Sequence, residues 1–449
     1  MTATPDDHPT TAREPEAPAQ PVTGTERIIA LDTLRGVAVL GILVMNIYAF
    51  AMPVIAYNNP LKLGGVEWYN LGTWFFTHLF FDQKFMTIFS LLFGGGLMLM
   101  WQRAESGKAK FGRIYYRRQF WLLLIGALHG YLLWFGDILF HYALMGMFIY
   151  LFRKLKARTL IIIGVCMLPV ALVFSYGGAI FIEGIQGQVV EIEELITAGE
   201  ELTEEQTEIK AQWDEMQPFM LPSDQDLQDD LEAYRSDYVS ILQHRAPIIL
   251  SFHVQSTFAF ILWRVGGLML IGMAMMRLGI LSGQRDATYY RKMMLTGYGL
   301  GLPIVLFSAF DLYAHEFDSL HLFRVGMVSN YVGSIMVALG HIGAVMLLVK
   351  ANIWAGLMAR FSAVGRMALS NYLMHSVILT SLFYGYGLGL YGEFPRLAQM
   401  AFVVGVIGLQ LYISPIWLQR YRFGPLEWPW RSLTYWKYQP MLREPLIYS

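Results

Sequence analysis

Among the residues of this chain that could move a proton, His129, Asp137 and His141 form the tightest group. Asp137 and His141 are four apart and so share one face of a helix. The turn Trp134-Phe135-Gly136-Asp137 brings His129 back toward them. A carboxylate that holds a histidine fixes its tautomer and stabilises its imidazolium, which is what a general base requires. The same trio could equally be a static network that ties a hairpin together. Asp82 and Lys84, with His78 just before them, belong on the same side, as do His253 and Arg264. These four, Asp82, Lys84, His253 and Arg264, are candidate substrate ligands.

A second group lies toward the opposite side. Asp32 and Arg35 are three apart in Leu31-Asp32-Thr33-Leu34-Arg35-Gly36. A local ion pair or a contact to a lipid phosphate accounts for them most simply. The planar fork of Arg35 also suits the phosphates of a cofactor such as coenzyme A. His341, Arg366, Asn371 and His375 fall in the same half, and the i,i+4 spacing puts Asn371 and His375 on one face.

These side chains draw their meaning from their surroundings. Of 449 residues, 55% are hydrophobic and 15% charged, against roughly 25% charged in ordinary soluble domains. A cytosolic enzyme of this size is therefore disfavoured. So is a nucleic-acid partner, because 33 Lys+Arg against 34 Asp+Glu leave no basic excess for phosphates. Apolar stretches near the ~20 residues needed to cross a bilayer recur at about 28–51, 80–101, 119–136, 138–153, 159–181, 258–277, 293–313, 325–349, 367–389 and 398–418. The second could begin at Trp74, with a break near Asp82-Gln83-Lys84. No strand-like alternation recurs, which argues against a barrel. The expected fold is all-α, a polytopic membrane protein of about ten transmembrane helices in contact with the lipid bilayer. An ionisable residue inside such a span costs roughly 2.5–3.5 kcal/mol, so each one calls for a function or a partner.

Residues 1–27, rich in Pro, Thr, Ala and acid, read as a disordered tail and not as a cleaved signal peptide. Two membrane halves of five spans each, 28–182 and 246–449, flank an acidic loop at 183–245. Lys and Arg concentrate in alternate loops: Arg103 to Arg118, Arg153 to Arg158, Arg277 to Lys292, Lys350 to Arg366 and Arg420 to Lys437. The positive-inside rule then puts both termini in the cytoplasm. The loop 183–245 holds 17 Asp+Glu and 3 Lys+Arg, leaving 17 against 30 in the remainder. The near-neutral total of -1 thus conceals a charge separation, with the acidic loop extracytoplasmic. Leu227, Leu231, Tyr234, Tyr238 and Leu242 follow helical spacing, so part of that loop is an amphipathic helix. The single cysteine, Cys166, is expected to be a buried, inert thiol. No zinc ligand set and no P-loop occur, and Gly94-Gly95-Gly96, Gly266-Gly267 and Gly297/Gly299/Gly301 suit close helix packing.

Several segments resemble the YeiB-like membrane proteins: RIIALDTLRGVAVLGILVMN (Arg27 to Asn46), HGYLLWFGDILFHY (His129 to Tyr142), WRVGGLMLIGMAMMRLG (Trp263 to Gly279), GRMALSNYLMH (Gly365 to His375) and GPLEWPWRSLTYWK (Gly424 to Lys437). The N-terminal half is similar to heparan-α-glucosaminide N-acetyltransferase and, more distantly, to membrane acyltransferases that acetylate cell-surface sugars. The likeness rests on Leu31, Asp32, Arg35 and Gly36. It implies a multi-pass protein of the bacterial cytoplasmic (inner) membrane that takes an acyl group from acyl-CoA to a glycan or lipid acceptor. Asp32, Arg35, Asn46, Asn371 and His375 would then serve the donor, and His129, Asp137 and His141 the chemistry. The sequence departs from that pattern in two ways. Asn46 stands where the sugar acetylases carry histidine, and no histidine follows the first span until His78. A transporter of a small metabolite or lipid, and an envelope scaffold built on the acidic loop, are the other readings. Topology is directly testable. Alkaline phosphatase fused after Glu200 is expected to be active and after Arg443 inactive, and the opposite pattern would reverse the assignment.

Overall fold

The computed structural model describes residues 28–104 and 108–443. The first helix, α1 (Ile29–Ala51), leads through the short α2 (Val54–Asn58) to α3 (Trp68–Phe80) and α4 (Lys84–Arg103). A hairpin follows, α5 (Lys108–Leu132) and α6 (Leu139–Ile149), and then the long α7 (Ala157–Ala198). The acidic region is helical: α8 (Glu204–Met220), α9 (Asp224–Tyr234) and α10 (Tyr238–Ser251). From α10 the chain runs through a π-helical stretch, Phe252–Ile261, into α11 (Leu262–Arg277). Then come α12 (Ala287–Ala314), α13 (Ser319–His321), a second π-helical turn, and α14 (Met327–Lys350). The C-terminal set is α15 (Ala355–Arg366), α16 (Ala368–Phe383), α17 (Arg396–Arg420) and α18 (Glu427–Tyr435). No strand forms among the described residues beyond a single bridge, Tyr421 to Leu442.

Among the described residues, seven helices are long and apolar enough to cross a membrane: α1, α3–α4, α7, α10–α11, α12, α13–α14 and α17. The other three expected spans fall on α5, which carries Arg113, Arg117 and Arg118, and on the short apolar segments Leu139–Phe152 and Ala368–Phe383. At ~1.5 Å of rise per residue, a 16-residue helix such as α16 climbs about 24 Å, less than the ~30 Å hydrocarbon core. The break expected near Asp82 falls there, with Gln83 at φ 62°. The helix expected through Leu227 and Leu242 is instead two helices. Asp237 accepts the amide N–H of Val239 at 2.9 Å and of Ser240 at 3.2 Å, which starts a new helix. Leu227 and Tyr234 are nonetheless buried. Cys166 is exposed on the outward face of α7, contrary to the expected buried thiol. The bundle leaves most of that helix uncovered, with 17% of its apolar window buried. The tail 1–27 lies outside the described residues.

The connections sort into two ends. At one end Arg277 donates to the Arg153 carbonyl (2.6 Å), Lys350 to that of Gly283 (3.1 Å) and Trp430 to that of Arg118 (3.0 Å). At the other, Gly392 N–H donates to Ala51 (2.8 Å), Gly385 N–H to Tyr234 (2.9 Å), and Arg245 to Tyr131 and Leu133 (2.8 and 2.6 Å). The basic loops thus gather opposite the acidic helices.

Helix α1 is the central pillar, with 83% of its apolar window buried. Leu31, Leu34 and Ala38 join one core with Ile88, Met145, Leu268 and Ile342. Leu43, Ile47 and Phe50 join a second with Leu379, Val403 and Tyr384. An apolar helix without a polar face belongs in such a place. It crosses α15 so closely that a Cβ on Gly36 would strike the Phe361 carbonyl and one on Gly365 the Asp32 carbonyl. Gly94 meets the Met269 backbone in the same manner, Gly297 that of Met336 and Gly340, whereas Gly299 faces open space. Small residues at crossings let backbones approach where no hydrophobic effect drives association. Gly36→Leu is expected to lower the melting temperature in detergent by the equivalent of roughly 1–3 kcal/mol, with Gly299→Ala unchanged. Equal melting of the two variants would refute the crossing.

Candidate functional site

A cavity of about 250 Å³ opens where α1, α4, α5, α16 and α18 meet at the basic end. Arg35, Arg103, Arg118, Arg366 and Arg431 stand around its mouth with Asp32 and Glu427. Arg35 pairs with Asp32 at 2.8 Å, and Arg118 stacks over the Trp430 ring at 3.9 Å. The walls are apolar, with Phe89, Leu92, Phe93, Leu97 and Leu122, and the blind end is formed by Leu139, Tyr142 and Tyr372. Its volume is below the roughly 300–1,000 Å³ of common small-molecule sites. The side-chain oxygen of Gln119, a buried cavity-lining residue, has no hydrogen-bond partner. A buried acceptor of that kind costs about 1–3 kcal/mol until an N–H donor reaches it.

The helix that forms the far wall is held by one acid. Glu427 accepts the N–H of Leu369 (2.7 Å) and of Ser370 (3.1 Å) and the Ser370 hydroxyl (2.5 Å). A carboxylate at a helix N-terminus satisfies otherwise orphaned donors and meets the positive end of the dipole. Burial pushes the Glu427 carboxyl above its ordinary value, against the pull of those donors. The C-terminal segment Gly424 to Lys437 thus fixes α16 from below, and through Trp430 it also rests on α5.

Beyond Tyr372 lies a hydrogen-bonded chain of Ser376, His129 and Asp137. His129 Nδ1 bonds Asp137 Oδ2 at 2.6 Å, and its Nε2 bonds Ser376 Oγ at 2.7 Å. All three are buried; the side chains of His129 and Asp137 are 0% exposed. Asp137 is itself held by the N–H of Phe140 at 2.8 Å, where it opens α6. A carboxylate on Nδ1 keeps the proton there and leaves Nε2 to accept from the serine hydroxyl. Tyr372 separates this group from the cavity, its ring centroid 5.4 Å from that of His129. The tyrosine hydroxyl makes only long bonds, 3.3 Å to Gly136 O and 3.4 Å from Ile138 N–H.

Other candidates from the sequence sit elsewhere. His141 bonds the Phe252 carbonyl at 3.3 Å and faces His253, 5.2 Å between ring centroids, so it joins the π-helical stretch and not His129. His253 itself stacks on Phe140 at 4.0 Å. Lys84 bonds the His78 carbonyl (2.6 Å) and Asn330 (2.9 Å), Asn330 bonds Asp82 (2.6 Å), and Arg264 bonds Ser334 (2.8 Å) over the Tyr331 ring. This is a separate, fully packed network. Asn371 bonds Ser414 (3.2 Å) and His375 bonds Gln410 (2.9 Å), so both tie α16 to α17 and turn away from the cavity. Asn46 is half-buried and does not line the cavity. Asp32 and Arg35 alone of the expected donor residues do. His341 bonds Tyr298 at 2.8 Å. One group among the described residues has metal-ligand spacing, Asp311, His315 and His321, with ligand atoms within 4.8 Å of one another; the sequence reading expected none.

Ser376, Gln119 and Glu427 were missed by sequence reasoning. The available signal for Ser376 is its i,i+4 relation to Tyr372, which puts both on the face that looks toward α5. Glu427→Ala is expected to cost about 1–3 kcal/mol, read as a lower melting temperature, with Glu427→Gln milder. A drop no larger than that of a surface glutamate such as Glu205→Ala would deny it this role.

The model for the family described as "Protein of unknown function (DUF418)" matches residues 275–437. Uncharacterized protein YxaH of Bacillus subtilis is 29% identical over 438 residues, 95% of this chain and 99% of its own length. Uncharacterized protein YeiB of Escherichia coli is 32% identical over 426 residues, 91% of this chain and 96% of its own length. No solved structure matches. Near-complete coverage of both relatives, on an all-helical fold with seven membrane-length helices, leads to one conclusion: the chain belongs to the YeiB-like family of integral membrane proteins.

Proposed function

We propose that the protein transfers an acyl group from a coenzyme A thioester, bound from the cytoplasm, to a hydroxyl or amine of a glycan or lipid on the other side of the bilayer. The observation that carries this reading is the cavity that runs from five arginines to Tyr372, one ring short of His129. The arginines suit the phosphates of the donor. The apolar walls of the cavity suit its arm. His129, oriented by Asp137, takes the proton of the attacking group through Nε2.

In this reading the short helices α6 and α16 and the basic α5 complete ten crossings of a bacterial cytoplasmic membrane. Both termini and the arginine mouth are cytoplasmic, and residues 183–245 are extracytoplasmic. A second reading, transport, is favoured by the Asp82–Asn330–Lys84 network at the break between α3 and α4, since broken helices with buried charges mark transport paths. Proton-coupled flux in liposomes that persists in His129→Ala would select it.

Purified protein is expected to bind acyl-CoA, and Arg35→Glu with Arg431→Glu to weaken that binding at least tenfold, since a charge-assisted bond is worth about 1.5–3 kcal/mol. His129→Ala is expected to bind and not transfer. Failure of the wild type to bind or consume any acyl-CoA would overturn the proposal.

A further inference from the structure

We infer that Ser376 is a nucleophile that carries the acyl group as an ester between donor and acceptor. Its hydroxyl is placed as a serine nucleophile must be: on Nε2 of a histidine whose Nδ1 is held by a buried carboxylate, with 2.7 and 2.6 Å between heavy atoms. The alternative, a serine that only satisfies the helix, is the common fate of hydroxyls in apolar helices. Thr73, Thr77, Ser90 and Ser381 here each donate to the carbonyl four residues back on their own helix. Ser376 spends its bond on His129 instead.

Position supports the same role. Ser376 lies eight residues beyond Ala368 on α16, roughly 12 Å of rise from the arginine mouth and near the middle of that helix. A donor with a phosphate-bearing head stays on its own side, so an acyl group that changes sides needs a resting place between the two. Tyr372, one turn nearer the mouth and held by bonds of 3.3 and 3.4 Å, is the group that must swing aside.

The step balances without further reagents. As the Ser376 Oγ–acyl bond forms, the hydroxyl proton passes to His129 Nε2 and the carbon–sulfur bond breaks. The imidazolium then gives that proton to the departing thiolate. In the second half the acceptor's hydroxyl or amine gives its proton to Nε2 and attacks the ester carbonyl, and Ser376 leaves and recovers its proton. The acyl donor rests on the reading given above; the nucleophilicity of Ser376 does not.

Two probes on the full-length protein in detergent separate these. A fluorophosphonate is expected to modify the peptide containing Ser376, at least 100-fold more slowly in His129→Ala and not at all in Ser376→Ala. Radiolabelled acyl-CoA, quenched in acid, is expected to leave a hydroxylamine-labile acyl group on Ser376, and on the thiol in Ser376→Cys. Modification by the phosphonate with no acyl-CoA consumed upholds the nucleophile and overturns the donor. Acyl transfer at the wild-type rate in folded Ser376→Ala, an acyl group recovered on His129 instead, or no modification by either probe overturns the inference.

Discussion

Hydrocarbon offers a polar atom no water, so each donor and acceptor placed in it must find its partner within the protein. That constraint orders the whole bundle. Glu427 closes the N-terminus of α16, Asn371 and His375 join that helix to Gln410 and Ser414, and Lys84 is enclosed by the His78 carbonyl and Asn330. Arg264 does without a carboxylate at bonding distance; two hydroxyls, a carbonyl and the Tyr331 ring surround it. Among these bonds the hydroxyl of Ser376 stands out for its choice of partner, the His129 imidazole.

The architecture connects the two ends of the molecule through α16. At its foot Glu427 and Ser370 lock it to the C-terminal helix; one turn on, Tyr372 ends the cavity; a further turn brings Ser376 to His129. Helix α5 runs alongside, with Arg118 at the mouth and His129 beyond the blind end. His129 and Ser376 stand on two packed helices, which hold side chains more closely than loops do. The α1–α15 crossing at Gly36 and Gly365 delivers Asp32, Arg35 and Arg366 to the same mouth.

Much of this was legible in the sequence. Apolar length located the helices, loop charge sorted them into two ends, and the His129–Asp137 pairing followed from a tight turn. The mistakes have physical causes. Asp137 and His141 do share a spacing, but Asp137 lies in the turn before α6, where it accepts the N–H of Phe140, so four residues do not make one face. On α16 the reading favoured Asn371 and His375, whose side chains announce chemistry. Helical packing gave those to α17 and left the quiet face, Tyr372 and Ser376, toward His129. Glu427 was invisible because its partners lie 57 and 58 residues away. Cys166 was assigned by composition, and composition does not tell the lipid side of a span from its packed side.

The two short apolar segments, Leu139–Phe152 and Ala368–Phe383, flank the His129 group: Asp137 lies just before the first, and Ser376 lies on the second. A segment shorter than the hydrocarbon is accommodated by a thinner bilayer, or by polar surroundings that reach inward to meet it. Were both segments to span the bilayer, the insulating layer around them would be narrower than the membrane at large. A crossing built on them would have its length set by helices of 11 and 16 residues, and not by lipid.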